Sequence, residues 1–153
     1  MRKYWLILQA GLAVAVIRFL VRVAPLPRVL RYLHSECISH SRDRASLEAL
    51  AYYTDRWLTL FPANAKGNCF PRSLTLYRFA RRLGFPVSFL CGVRRAGPNL
   101  EGHAWLMLNG VPFLEPTTHW TEFAVSYTFP STQGIETPSL GSADVEHRSG
   151  SSR

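Results

Sequence analysis

Apolar residues run almost unbroken over positions 5–24, interrupted only by Gln9, Arg18 and Arg22. The charge-free part between Lys3 and Arg18 holds 14 residues, short of the roughly 20 that a bilayer span requires. A basic start followed by an apolar run imitates a secretion signal. Here, however, Arg18 and Arg22 fall where a small-residue cleavage site belongs, and Pro25-Leu26-Pro27 follows. Four residues apart, the two arginines share one helix face, with Gly11 near the same stripe. The pattern predicts a helix, mostly buried or facing a membrane, with one basic edge. Three settings stay open for it: a core helix, a helix lying at a membrane surface, or a true span or signal.

Pro25 and Pro27 end that helix, because proline lacks the backbone donor and clashes inside a helix. A second short helix starts near Pro27 and holds Val29, Leu30, Tyr32 and Leu33. In residues 34–40, His34 and His40 flank Cys37. With no fourth ligand nearby and a spacing unlike that of zinc sites, the segment reads as a surface linker. Leu47, Leu50, Ala51, Trp57, Leu58 and Phe61 predict one or two core helices ending before Pro62, with Ser46 as cap. Residues 63–68 are a loop by composition.

Residues 69–83 give the clearest helix. Phe70, Leu74, Tyr77, Ala80 and Leu83 form its apolar face, and Arg72, Arg78, Arg81 and Arg82 line the other. Asn68 suits the N-cap, Pro71 the first turn and Gly84 the position after the end. The arginines crowd toward the C-terminus, where the macrodipole favours positive charge. A strand follows from Phe85-Pro86 to Val93, then an exposed loop over 94–99. Strands over 103–108 and 111–114 flank Asn109-Gly110, a strong hairpin signal. Trp120, Phe123, Tyr127 and Phe129 are available to pack on the core, and residues 131–153 are Ser-, Gly- and Thr-rich and read as a disordered tail.

The 153 residues, 47% apolar, suit one domain. We therefore expect a single unit over 1–130, mainly helical over 1–60, with a core over 61–130. The formal charge of +8 is uneven: residues 1–35 carry Arg2, Lys3, Arg18, Arg22, Arg28 and Arg31 and no acid. That points to an anionic surface, either membrane headgroups or an acidic partner. Nucleic acid is not expected, since the basic residues interleave with aliphatics rather than exposed aromatics. Three cysteines without a CxxC pair argue against a disulfide framework and for a reducing cytoplasm. No metal site and no Gly-rich phosphate loop are visible, so no cofactor is expected.

The candidate chemistry lies at Cys69, His103 and Glu115. Cys69 heads the predicted helix, where free backbone donors and the dipole favour the thiolate, the nucleophilic form. Its own amide could help hold an oxyanion, with Asn64 and Asn68 as neighbouring donors. Cys91, in mid-strand, reads as a small buried hydrophobe. A thiol needs a base, and the base needs an acceptor to orient it; His103 and Glu115 fill those roles. Hairpin geometry restricts the pair. A two-residue turn at Asn109-Gly110 sets His103 opposite Pro116 and turns Glu115 to the other face. A three-residue loop, Leu108-Asn109-Gly110 with Gly110 left-handed, pairs Met107 with Val111 and sets His103 across from Glu115, roughly 5 Å apart at Cβ. The triad therefore predicts the three-residue loop.

The blocks Asn68-Cys69-Phe70-Pro71-Arg72-Ser73-Leu74-Thr75-Leu76-Tyr77, Arg81-Arg82-Leu83-Gly84-Phe85-Pro86, Gly92-Val93-Arg94 and Gly102-His103-Ala104-Trp105 resemble the leader peptidase, or B protein, of lasso peptide biosynthesis. The likeness covers about residues 65–116. It implies an α+β fold with a transglutaminase-like, papain-related core: N-terminal helices, and a catalytic cysteine at a helix N-terminus packed on a small antiparallel sheet. It further implies a Cys-His-Asp triad falling on Cys69, His103 and Glu115, with glutamate where aspartate is more common. The stretch before Cys69 leaves no room for a separate leader-recognition domain, so the chain resembles the split form. The implied partners are the precursor peptide with its leader, a separate leader-recognition protein and an ATP-dependent cyclase that closes the macrolactam. The implied activity is cysteine-protease removal of the leader in antibiotic (RiPP) maturation, in the bacterial cytoplasm or at the membrane periphery through residues 5–24. Acyl transfer to an amine, as in transglutaminases, and a non-catalytic membrane-associated scaffold are the rival readings.

Overall fold

A computed structural model describes residues 2–34, 42–60, 67–116 and 118–130. Cys37 and the rest of the predicted linker beyond His34, Asn64 with its loop, and the predicted tail at 131–153 lie outside the described residues.

Four helices precede a sheet: α1 (Arg2–Val23), α2 (Leu26–Leu33), α3 (Arg44–Thr59) and α4 (Cys69–Arg82), then β1 (Ser88–Ala96), β2 (Asn99–Leu108), β3 (Val111–Pro112), a 3-10 turn (His119–Glu122) and β4 (Ala124–Phe129). The strands form one antiparallel sheet in the order β3-β2-β1-β4. The fold is α+β, with the helices gathered on one face of the sheet.

The inward stripe of α1 is Ala10, Val14 and Ile17, all essentially inaccessible. Gly11 is required there, because a Cβ at that position would sit 2.6 Å from the Trp57 ring. The Trp57 indole reaches across and donates to the Ile7 carbonyl at 2.9 Å, which locks α1 against α3. A single helix, α3, spans residues 44–59, and its cap is Asp43 rather than Ser46. The Asp43 carboxylate accepts from the Ser46 amide at 3.0 Å and from its hydroxyl at 2.6 Å. Ser46 sits at the third helical position, whose free amide a capping side chain must reach from three residues upstream. Nor is His34 a linker residue. It ends α2 and packs its ring on Tyr77 and Phe129, with Nδ1 2.7 Å from the Tyr77 hydroxyl.

α4 is the central helix. Every residue from Ser73 to Tyr77 is buried, as are Phe79 and Ala80. It ends where the sequence predicts, at Gly84 with φ 86°. The Gly84 amide bonds the Arg81 carbonyl, and the Phe85 amide bonds that of Ala80, which is the double bond of a Schellman motif.

Along β1 and β2, residues alternate between the faces. Phe89, Cys91, Ala104 and Leu106 join the helix-facing core, while Leu90, Gly92, His103 and Trp105 share the opposite face. The first strand begins at Ser88 rather than Phe85, and most of the expected 94–99 loop is strand. The β1–β2 pairing runs to Ala96 opposite Asn99 and leaves only Gly97-Pro98 to turn. An ion pair between the directly opposed Arg94 and Glu101, 2.7 Å apart, supports this extension.

The hairpin after β2 corrects the sequence reading. Leu108 pairs with Val111 and Met107 with Pro112, so the turn has two residues, not three. Asn109 (φ 52°) and Gly110 (φ 78°) are both left-handed. That geometry matches the strand twist and is what Asn-Gly favours. β3 is shorter than the expected 111–114.

Candidate active site

Cys69 is the first residue of α4, so its own amide has no acceptor within the helix. The sulfur accepts hydrogen bonds from the backbone amides of Ala104 and Phe70 and shares one with the His103 ring. The Ala104 bond follows from the shortness of β3. The Phe113 amide still donates to the Leu106 carbonyl at 2.9 Å, and beyond that point the chain leaves the sheet. Ala104, two residues along, presents its backbone groups on the same now-vacant edge. The first turn of α4 fills the gap. Cys69 takes the Ala104 amide, and the Ser73 hydroxyl donates to the Ala104 carbonyl at 2.7 Å.

The third group arrives by a backbone kink. Leu114 adopts φ 56°, a left-handed conformation that a leucine rarely takes. It reverses the alternation set by the two-residue turn and brings Glu115 onto the His103 face, with Oε1 3.3 Å from Nε2. The Glu115 side chain is 5% exposed and that of His103 20%. With Nε2 engaged by Glu115, Nδ1 is the ring nitrogen left for the thiol. Thiol, imidazole and carboxylate are thus hydrogen-bonded in sequence, although the predicted three-residue loop is absent.

A sequence profile of the transglutaminase-like superfamily matches residues 12–128. The chain belongs to that superfamily. Comparisons with curated proteins and with solved structures give no significant match. The superfamily includes cysteine peptidases and acyltransferases, enzymes built on a cysteine nucleophile.

In this transglutaminase-like site the charges are poised for that chemistry. Burial is the largest influence on Cys69 and pushes its thiol up. The His103 hydrogen bond, the Ala104 amide, the His103 charge and the Phe70 amide together outweigh it, and the net shift is downward. His103 is raised to about 9, first by its bond to Cys69 and then by its bond to Glu115, against the opposing effect of burial. Both shifts favour the thiolate–imidazolium form of the pair beyond what free cysteine and histidine side chains would give. Burial also raises the thiol of Cys91, which keeps it protonated and inert, in line with the sequence reading.

The sequence offered no signal for several groups that hold this arrangement. The His103 ring stacks on Trp105 at 5.7 Å and meets Phe123 at 5.2 Å. Phe123 in turn lies under the Arg94 guanidinium, 4.9 Å from its centroid, and Arg94 also pairs with Glu101 and Glu122. Gly92, directly opposite His103, admits β4 and the Trp105 ring: a Cβ there would lie 2.6 Å from the Ala124 carbonyl oxygen. Arg72 donates two bonds to Asp55, at 2.7 and 3.2 Å, fastening the first turn of α4 to α3.

Asn68 occupies the N-cap position but does not cap. Its oxygen accepts from Arg18 at 3.2 Å and its amide donates to the Leu58 carbonyl at 3.4 Å. Those bonds commit the side chain to α1 and α3, which argues against its use as an oxyanion donor. A cavity of about 440 Å³, lined by Val21, Arg22, Leu26, Gly67, Phe70 and Pro71, opens beside the start of α4. Among the described residues no cluster of histidine, cysteine and acidic side chains is arranged to hold a metal.

Proposed function

We propose that this chain is a cysteine peptidase that removes the leader from a ribosomally made lasso peptide precursor. The observation that carries the reading is the hydrogen-bonded series Cys69–His103–Glu115 at the head of a buried helix. It lies within the stretch whose motifs resemble the lasso leader peptidase.

The Cys69 thiolate attacks the carbonyl carbon of the last leader residue. The Cys69 amide, free of helical hydrogen bonding, is placed to stabilise the developing oxyanion. His103 then gives its proton to the departing amine, the new N-terminus of the core peptide, as the C–N bond breaks. The leader remains as a thioester on Cys69. The neutral imidazole next takes a proton from water as the oxygen attacks, and collapse returns the thiolate and the leader carboxylate. Glu115 orients the ring and stabilises its charged form throughout. Macrolactam closure falls to a separate ATP-dependent cyclase. Presentation of the leader falls to a separate recognition protein, and the setting is the cytoplasmic side of a bacterial membrane.

Incubation of the chain with a lasso precursor and its recognition protein, followed by mass measurement, tests this. Wild type yields free leader and core, and Cys69→Ala yields neither. A processed leader from Cys69→Ala, or full activity of the chain alone at low enzyme, contradicts the corresponding part of the proposal. Acyl transfer is the alternative reading. Added primary amine appears on the leader carboxyl under that chemistry, and water alone under hydrolysis.

A further inference from the structure

α1 is apolar on both sides. Opposite the buried Ala10, Val14 and Ile17, its outward face carries Trp5, Leu8, Leu12, Val16, Phe19 and Val23. Leu12 is 64% exposed, Phe19 63% and Trp5 59%. At 100° per residue these six fall within about a third of the helix circumference, with no charged residue among them. A contiguous apolar face of this size marks a surface that something covers. Beside it a groove of about 340 Å³ runs between α1, α2 and α4, with Trp5, Leu12, Val16 and Tyr32 on its walls and Arg78 and Arg82 at its side.

Charge selects the occupant. Residues 2–34 contain no acid, and neither does α4. Arg22, Arg28, Arg31 and Arg82 are exposed. None of these four, nor Arg78, has an ion-pair partner among the described residues. An apolar strip with the unpaired Arg78 and Arg82 beside its groove, exposed unpaired arginines on α1 and α2, and Tyr4 and Tyr32 exposed as well, matches the acyl–headgroup boundary of an anionic bilayer.

Although α1 is long and apolar enough to cross a membrane, crossing would pull Gly11 off Trp57 and strip Ala10, Val14 and Ile17 from the core. It would also break the Arg18–Asn68 bond beside Cys69. We infer that α1 lies in the plane of an anionic lipid surface, its outward face sunk among acyl chains and the exposed Arg22, Arg28, Arg31 and Arg82 on the phosphates.

Flotation of the full chain with vesicles tests this without reference to peptidase activity. Vesicles of phosphatidylcholine plus phosphatidylglycerol should carry the protein at least about tenfold better than phosphatidylcholine alone, and salt should weaken the difference. Leu12→Gln with Phe19→Gln should abolish flotation while leaving the circular dichroism and Tm unchanged, because both side chains face outward. Arg28→Gln with Arg31→Gln and Arg82→Gln should remove most of the phosphatidylglycerol preference. Brominated lipid should quench tryptophan emission in wild type and much less in Trp5→Phe. Three results would overturn the proposal: no flotation with either vesicle, flotation indifferent to the Leu12/Phe19 pair, or a dimer or a protein partner that this pair disrupts in a chain that ignores vesicles.

Discussion

His103 Nε2 lies 3.3 Å from Glu115 Oε1, beyond the end of a hairpin whose two-residue turn, with the strand continued, would set Pro116 rather than Glu115 opposite His103. The pair meets because Leu114 takes φ 56° and turns the chain by one side-chain position. Glu115→Gln keeps the shape and removes the charge that favours imidazolium. We expect kcat to fall about 10²- to 10⁴-fold with KM little changed, and the alkaline limb of the pH profile to move down. An unchanged profile would remove Glu115 from the site.

Leu114 itself carries the strain. A non-glycine residue at positive φ costs about 1–2 kcal/mol, and a β-branched residue costs more. Leu114→Val is therefore expected to pull this position toward extended backbone, swing Glu115 off the ring and lose about as much activity as Glu115→Gln. Leu114→Gly tolerates the same φ and should retain activity to within about tenfold, at some cost in core packing. Steady-state kinetics on the two variants separate backbone geometry from side-chain loss.

The pH dependence follows from the two shifts. His103, raised to about 9, is protonated below that value, and Cys69, lowered from the usual thiol value, is ionised above its own. Activity that needs both occupies the window between them. It should be lost on the alkaline side near pH 9, as the general acid loses its proton, and on the acid side as the thiolate takes one. In His103→Ala the burial of Cys69 is no longer offset by the imidazolium, so the thiol pKa rises. Alkylation by iodoacetamide near neutral pH should then slow by about tenfold or more. Equal rates in the two proteins would contradict a thiolate–imidazolium pair.

The local signals in the sequence were the strong ones. Asn-Gly specifies its turn, Gly84 the end of α4, and the apolar runs around Cys91 and over 103–108 the two central strands. Cys69 at a helix head follows from Asn68, Pro71 and the apolar spacing after them. What escaped was non-local. A Cys-His-Glu series needs a three-residue loop only where the strand stays regular as far as Glu115. It does not, because β3 ends at Pro112, and nothing in a leucine announces a left-handed backbone. Arg72 reads as a solvent-facing arginine on helical periodicity, yet its side chain is 16% exposed, because Asp55, 17 residues earlier, lies across from it.

That Arg72–Asp55 pair holds the turn of α4 that presents Cys69. Its Asp55 side chain is 46% exposed, so solvent screens the interaction and the cost of breaking it is set by leaving Arg72 short of a partner. Asp55→Ala is expected to lower stability by about 1–3 kcal/mol, read as a reduced urea midpoint at unchanged m. Arg72→Ala should cost less charge energy, since the stranded carboxylate reaches water. A larger loss in Arg72→Ala would point instead to packing of the arginine stem.

Gly92 gives the sharpest test of how the sheet supports the site. It faces His103 across the β1–β2 ladder, and an added Cβ would sit 2.6 Å from the Ala124 carbonyl oxygen and 3.1 Å from the Trp105 ring. Backbone cannot rotate aside as a flexible side chain can, so β4 has to move away or β1 has to deform. Either movement shifts Phe123, which immediately precedes β4 and packs on the His103 ring. Gly92→Ala is therefore expected to cost about 1–3 kcal/mol and to lower kcat about tenfold or more by misorienting the imidazole. Its Cys69 alkylation profile should move toward that of His103→Ala. Gly97→Ala, also at a β1–β2 position but with open space around its Cβ, should cost only the strain of its positive φ and leave the alkylation profile unchanged. If the two alanine variants behave alike, close packing at Gly92 is not what holds His103 in place.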